Sequence, residues 1–434
     1  MVNCASSDAL GDAAAGSRWP PSILLGDLAH VGAGGRNATT ATAESESGHT
    51  VEFTFWVADA PAVSSFTFHC SQPPGSDPED AGLDVPPHVV AAEGRFFLVR
   101  ARFASGDGEF DYFMYRADAG SPPSLERVPL PEYDGLDGVD EFGIVPRGGG
   151  GGGHYLLDAL CDKIMAREYR LEIYSSEDGT WRTEQLPNPR PGDLTITPAK
   201  VITLREGVLG WVDFRRGMLM CDLFQSPVAS RYIPLPEPLP ENRQKLEVCR
   251  RGADLRRFRD LTCTDGVIKF IEMEHRVIVT EIREAPPPPP PPPQRPSEPS
   301  LESVLYDSDL IASQEERKED DIKPKILRSM DGWSAVTWTR AIESNCWLKG
   351  YTFDVDDISV EDSAHLAFAS GLPSGNSLRS LAFRDLYSAW PVLSTDGGNL
   401  LLAPLFLQTL MLKDKEMGQT WAASLFASAS PTRM

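Results

Sequence analysis

The stretch Val201-Ile202-Thr203-Leu204-Arg205-Glu206-Gly207-Val208-Leu209-Gly210-Trp211-Val212 holds two apolar runs separated by an acidic residue and a glycine. Runs of four to six residues rich in Val, Ile and Leu read as strands, and the Glu-Gly pair between them reads as a tight turn. Glycine takes the positive φ that such hairpin turns require. The same pattern occurs in Val89-Val90-Ala91-Ala92-Glu93-Gly94-Arg95-Phe96-Phe97-Leu98-Val99 and in Leu261-Thr262-Cys263-Thr264-Asp265-Gly266-Val267-Ile268-Lys269-Phe270-Ile271. A fourth copy is Val392-Leu393-Ser394-Thr395-Asp396-Gly397-Gly398-Asn399-Leu400-Leu401-Leu402. Because the apolar runs are nearly continuous, these strands are expected to be covered on both faces.

The six-glycine tract Gly148 to Gly153, ahead of His154-Tyr155-Leu156-Leu157, occupies an equivalent slot. The turn glycines then fall at 94, 153, 207, 266 and 397, spaced 59, 54, 59 and 131 apart. After each hairpin comes a further strand pattern that often ends in a proline pair, as at Val128-Pro129-Leu130-Pro131, Leu186-Pro187 and Ile233-Pro234-Leu235-Pro236. A period in the fifties with about four strands per unit predicts an all-β protein, a single β-propeller of about six blades, with five to seven compatible. The period is closer to the Kelch value of about 50 than to the WD value of about 40–45, and no Trp-Asp dipeptide occurs. A two-layer sandwich, the competing fold, has no unit repeat this long. The N-terminal strands Val51 to Val57 and Val63 to Cys70 are placed to complete the last blade and close the ring.

The wide last gap contains eight consecutive prolines, Pro286 to Pro293, which cannot enter a helix or a sheet interior. An exposed polyproline II rod is expected there, followed by a charged, aromatic-poor disordered stretch. The organisation read from the sequence is a disordered tail over 1–20, blades over 21–284, an insertion over 285–325, further blades over 326–425 and a tail over 426–434.

The formal net charge of −22 disfavours duplex nucleic acid and anionic membrane as partners, since both select cationic surfaces. No run approaches 18 apolar residues, so no membrane span is expected. The N-terminus has no secretory pattern, and seven widely spaced cysteines suit reduced thiols, so a cytoplasmic or nuclear location is expected. In that setting the sequon Asn37-Ala38-Thr39 is silent.

The segment Gly207-Val208-Leu209-Gly210-Trp211-Val212-Asp213-Phe214-Arg215-Arg216-Gly217-Met218-Leu219-Met220-Cys221-Asp222, with Arg231-Tyr232-Ile233-Pro234-Leu235-Pro236, resembles the plant domain-of-unknown-function family 1618, abundant in cereals. Supporting stretches are Arg36-Asn37-Ala38-Thr39-Thr40, Val51 to Pro61 and Asp265 to Met273. The similarity spans roughly 20–410, with 207–275 as the matched core. Members resemble the propeller regions that accompany F-box domains. No F-box-like helical segment precedes the repeats, so the resemblance implies no ubiquitin-ligase adaptor role and assigns no activity.

Phosphate-loop, zinc-helix, Cys-x-x-Cys and nucleophile-elbow motifs are absent, and the seven histidines have no ligand spacing. No catalytic residue, metal site or cofactor is therefore expected. Asp213 and Asp222 interrupt apolar strands; they are either channel-facing acids or caps of the turn from Asp213 to Gly217. Glu272 and Glu274 share a strand face, as an acidic binding edge or a solvated outer face. These four carboxylates form the candidate polar binding face. Cys221 reads as a small core residue. The basic stretch Arg243 to Arg259 reads as a solvated loop between blades. The functional expectation is a protein–protein interaction module without catalysis, with unidentified protein partners and an SH3-, WW- or profilin-type contact at Pro286 to Pro293. The alternative is a hydrolase-like propeller enzyme with channel-facing carboxylates.

Overall fold

The computed structural model describes residues 23–26, 28–32, 35–58, 63–71, 82–104, 109–117, 121–131, 136, 138–147, 153–163, 168–190, 195–248, 255–282, 325–357, 387–388, 391–393, 401–406 and 426–428. Most of them are strands, arranged as six sheets that follow one another along the chain. The first holds β1 (Leu24–Leu25), β2 (His30–Val31), β3 (Ala41–Glu44), β4 (Thr50–Trp56) and β5 (Val63–Ser71). The second is β6 (Leu83–Glu93), β7 (Phe96–Phe103), β8 (Asp111–Arg116) and β9 (Ser124–Val128). The third is β10 (Phe142–Arg147), β11 (His154–Lys163), β12 (Glu168–Ser175) and β13 (Thr180–Leu186). The fourth is β14 (Lys200–Arg205), β15 (Val208–Asp213), β16 (Gly217–Asp222) and β17 (Ala229–Pro234). The fifth is β18 (Arg259–Thr264), β19 (Val267–Ile282), β20 (Lys325–Ala341) and β21 (Leu348–Asp354). The sixth is β22 (Tyr387–Ser388), β23 (Val392–Leu393), β24 (Leu401–Phe406) and β25 (Phe426–Ser428).

In the second to fifth sheets each strand pairs antiparallel with the next, so every sheet is a four-stranded meander. The acidic-Gly pairs sit at the tight turn between the first two strands. Asp265 and Gly266 both have positive φ, 51° and 74°, the backbone that a two-residue hairpin turn demands. β10 and β11 pair up to Arg147 opposite His154 across the glycine tract, whose residues 148–152 lie outside the described set. β23 and β24 pair Val392 with Leu402, as the fourth copy of the pattern predicts.

Period-2 alternation sends the two faces of each sheet into two different cores. On β7, Phe97, Val99 and Ala101 join Phe53, Phe55, Phe66 and Phe68 of the first sheet. Phe96 and Leu98, on the other face, join Phe142, Ile144, Tyr155 and Leu157 of the third. Leu156 and Leu160 then meet Leu209, Trp211, Leu219 and Cys221 of the fourth sheet. Val208, Val212 and Met218 meet Ile268, Phe270 and Trp338 of the fifth. All six residues of β15 are buried, which explains its uninterrupted apolar run. Burial of each large apolar side chain contributes about 1.5–3 kcal/mol, so the interfaces between sheets hold most of the core.

Two readings of the sequence are corrected. Val51 to Val57 and Val63 to Cys70 do not join the C-terminal strands among the described residues. They pair with β3 and, in parallel, with β1 and β2, because residues 24–31 supply the extra strands locally. The stretch from Arg243 is not a solvated loop but contains the helix α1 (Pro240–Val248) and a 3-10 turn at Leu255–Arg257. Asn242 and Leu246, one helical turn apart, are its buried face, and Leu255 is buried too. Asn37 Oδ1 accepts from Thr39 N at 2.7 Å while its amide donates to Phe55 O at 2.9 Å, so the sequon residue fastens the loop before β3 onto β4. The proline run and the rest of 285–324 lie outside the described residues, as do the tail over 1–20 and residues 429–434; the C-terminal tail expected over 426–434 is corrected at its start, where Phe426–Ser428 pair with β24 as β25. No helix among the described residues is long and apolar enough to cross a membrane.

Candidate functional site

The leading strands of the second to fifth sheets adjoin in chain order, β6 with β10, β10 with β14 and β14 with β18, and β18 adjoins β23 of the sixth sheet. Between β6, β10 and β14 lies a cavity of about 410 Å³. Its size falls in the range of small-ligand sites, roughly 300–1,000 Å³. The walls are Val89, Val90 and Ala91 of β6, Phe142 and Ile144 of β10, Val201 and Ile202 of β14, and Leu209 of β15. Gly143 is part of the wall, and a side chain there would collide with Leu209, so its absence lets the third and fourth sheets close on each other.

The cavity also carries His88, Glu93, Arg100, Asp140, Glu141, Lys200, Thr203 and Arg256. Arg100 donates to His88 Nε2 at 2.8 Å, to Val139 O at 3.1 Å and to Asp140 Oδ1 at 3.3 Å, and stacks over Phe110. A guanidinium only donates, so His88 must present Nε2 as an acceptor and carry its proton on Nδ1. Lys200 donates to Asp260 Oδ1 at 2.7 Å, and the other oxygen of Asp260 accepts from Leu393 N at 2.9 Å. This joins the fourth, fifth and sixth sheets. Thr203 of β14 donates to Glu93 at the end of β6 at 2.7 Å, which ties the fourth sheet directly to the second. Burial raises the Glu93 carboxyl, and the Thr203 bond partly offsets this. Burial also pushes Glu141 up to about 7, against the attraction of Arg256, Lys200 and Arg100. A carboxyl held there exchanges its proton near neutrality.

The four carboxylates picked from the sequence are not in this cavity. Asp213 accepts from Arg215 N at 2.8 Å and Thr197 N at 3.2 Å, capping its turn. Asp222 accepts from Phe224 N at 3.2 Å and Gln225 Nε2 at 2.8 Å. Glu272 is fully buried rather than on a solvated face. It pairs with Arg259 at 3.0 Å and accepts from Asn242 Nδ2 at 2.8 Å and Leu239 N at 3.2 Å. Glu274 accepts from Glu241 N at 2.6 Å. Glu272 and Glu274 thus satisfy amides at the N-terminus of α1, where the helix dipole favours negative charge. Cys221 is buried in the core, its thiol pushed up by burial.

Sequence reasoning missed the cavity charges because most of them flank apolar runs, while Glu93 was read only as the acid of a hairpin turn and Arg256 as part of a basic loop. Asp140-Glu141 precedes Phe142, Lys200 precedes Val201, and Arg259-Asp260 precedes Leu261. A charged residue at or just before the start of β10, β14 and β18 was the available signal. Among the described residues, no group of three or more His, Cys, Asp or Glu side chains is arranged to hold a metal ion.

Sheets and cavity together define an all-β protein of repeated four-stranded units whose leading strands enclose a charged pocket. Residues 211–400 match the sequence model of a family described as protein of unknown function (DUF1618), which supports a relationship of this part of the chain to that family. The matched region starts inside the core read from the sequence, 207–275, and continues past it into the sixth sheet. No curated protein and no solved structure matches the chain.

Proposed function

We propose that the six sheets are the blades of one Kelch-like β-propeller, with β6, β10, β14, β18 and β23 around its axis, and that the protein is an interaction module without catalysis. The ring is supported by the adjoining leading strands and by the Thr203–Glu93 bond between the second and fourth sheets. One observation carries the functional reading. The carboxylates that interrupt its strands are engaged by backbone amides and a buried arginine, leaving the loops of a rigid scaffold as the variable surface. The partners are proteins in the cytoplasm or nucleus, neither duplex nucleic acid nor membrane. Pro286 to Pro293 is a second contact point, for an aromatic groove of SH3, WW or profilin type. Proximity labelling with the intact chain and with residues 285–325 deleted tests this. Partners retained by the deletion variant support the sheets as the binding surface, and loss of all partners moves it to the proline segment.

A second reading, a hydrolase-like enzyme, is favoured by Glu141, a carboxyl poised near neutrality in a cavity. Turnover of simple esters that is abolished in Glu141→Gln and kept in Asp213→Asn would establish it.

A further inference from the structure

We infer that the rim between the fourth and fifth sheets holds a binding site for a carboxylate, received by Arg340 of β20 and Arg231 of β17. The site goes beyond the interaction reading, and none of its residues lines the cavity between β6, β10 and β14.

Arg340 follows Val336 and Trp338 at period two on β20, so its side chain enters the core between the fourth and fifth sheets, where it is 5% exposed. A buried arginine is ordinarily matched by a carboxylate, as Arg259 is by Glu272. Arg340 has no ion pair and no hydrogen bond among the described residues, and its Nε is sealed from water without an acceptor. Its guanidinium stands over the Trp347 ring, 5.9 Å from the centre, a contact that supplies no counter-charge and leaves the N–H edge unused.

The neighbours add charge of the same sign. Burial, and after it the positive charge of Arg231, pulls the Arg340 guanidinium below its ordinary value, with the Cys346 thiol opposing. Arg231 donates to Ile342 O at 2.5 Å, which fixes it against the end of β20, and its own Nε is buried without an acceptor. Glu343, a carboxylate at this rim, is 71% exposed and divided between Arg205 at 3.2 Å and Arg231 at 3.9 Å; it makes no ion pair with Arg340. Arg340 is therefore a desolvated cation without an anion, and an anionic acceptor placed against it stabilises it.

Two neighbouring guanidiniums match the two oxygens of a carboxylate. A carboxylate also balances one uncompensated charge, whereas a phosphate monoester would bring about −1.5 to −2. Glu343 and Cys346 are exposed, so the rim is open to a ligand.

Cys346 adjoins Arg340 and reports on the site. The test is the rate of alkylation of Cys346 in the full-length chain by iodoacetate, the carboxylate probe, and by iodoacetamide, its neutral counterpart, with N-acetylcysteine as the reference thiol. The iodoacetate-to-iodoacetamide ratio is expected to be about tenfold higher at Cys346 than at the reference, the scale of one hydrogen bond to a charged group. Arg340→Gln should return the ratio to the reference value, and Glu343→Gln, which frees Arg231, should raise it further. Excess propionate should slow iodoacetate and leave iodoacetamide unchanged. Equal competition by Nα-acetylglutamate methylamide supports an acidic peptide as the natural source, and competition by propionate alone supports a free acid. A ratio equal to the reference, a ratio unchanged in Arg340→Gln, no competition by propionate, or stronger competition by inorganic phosphate overturns the inference. If Arg340→Gln fails to fold, an unchanged ratio in Arg231→Gln overturns it instead.

Discussion

Trp181 on β13 of the third sheet and Pro129, just past the end of β9 of the second, are joined by a hydrogen bond of 2.7 Å from the indole nitrogen to the proline carbonyl. Trp347, just before β21 of the fifth sheet, makes the same bond to Pro234 of the fourth, at 2.8 Å. The strand-ending prolines noticed in the sequence therefore have a role. Proline stops the strand, and its carbonyl is free for the tryptophan of the neighbouring sheet. Replacing Trp181 by Phe keeps most of the ring and removes the donor. A loss of about 0.5–1.5 kcal/mol in denaturant unfolding is expected. No loss would mean that water replaces the indole without cost.

Arg259 and Glu272 pair at 3.0 Å with side chains 1% and 0% exposed, deep between β18, β19 and α1. Removing one partner leaves the other charge buried. Glu272→Leu or Arg259→Met alone should each cost about 3–5 kcal/mol. The double variant should recover a large part of the loss, because no buried charge remains. Urea unfolding of all three variants measures this coupling, and strictly additive losses would contradict it.

Asp158 lies on the face of β11 shared with Leu156 and Leu160, fully buried, and neither carboxylate oxygen has a hydrogen-bond partner among the described residues. Burial raises its carboxyl well above the usual range, with Arg182 opposing. The folded state therefore holds a proton that the unfolded chain gives up near pH 4. The resulting stability is present at low pH and is lost as pH rises toward the folded value, by about 1.4 kcal/mol per pH unit in that window. Asp158→Asn should flatten that decline and unfold at higher temperature at pH 8. An unchanged pH profile of the thermal midpoint would contradict the assignment.

Thiol reactivity should separate Cys346 from Cys221. Cys346 is exposed, whereas Cys221 is buried with its thiol raised by burial. Timed alkylation followed by peptide mass spectrometry should label Cys346 first, with Cys221 reacting on the timescale of unfolding. Early labelling of Cys221 would contradict the packing of the third sheet against the fourth.

The hairpins were legible because their chemistry is local. Asp265-Gly266 needs no tertiary partner to form its turn, and β15 announces its two covered faces by having no polar residue before Asp213. The helix α1 was not legible, since only Asn242 and Leu246 make its buried face and its N-terminal amides are satisfied by Glu272 and Glu274 from β19. The polar site was hidden for the same reason. Glu93 and Thr203 are 110 positions apart and meet only when β6 and β14 are brought together. The residues that stood out in the sequence, Asp213 and Asp222, did so because they break apolar runs at turns, which is where caps belong.

The claim that the six sheets form one closed ring is tested most directly by spin-label distances. Genetically encoded labels go on Thr42 of the first sheet, Ala229 of the fourth and Ser428 of the sixth, and double electron–electron resonance reads the separations. In a closed ring of six the sixth blade neighbours the first and the fourth stands opposite, so the 42–428 distance is predicted to be shorter than the 42–229 distance. A 42–428 distance longer than 42–229 would mean an open row of sheets and would contradict the propeller.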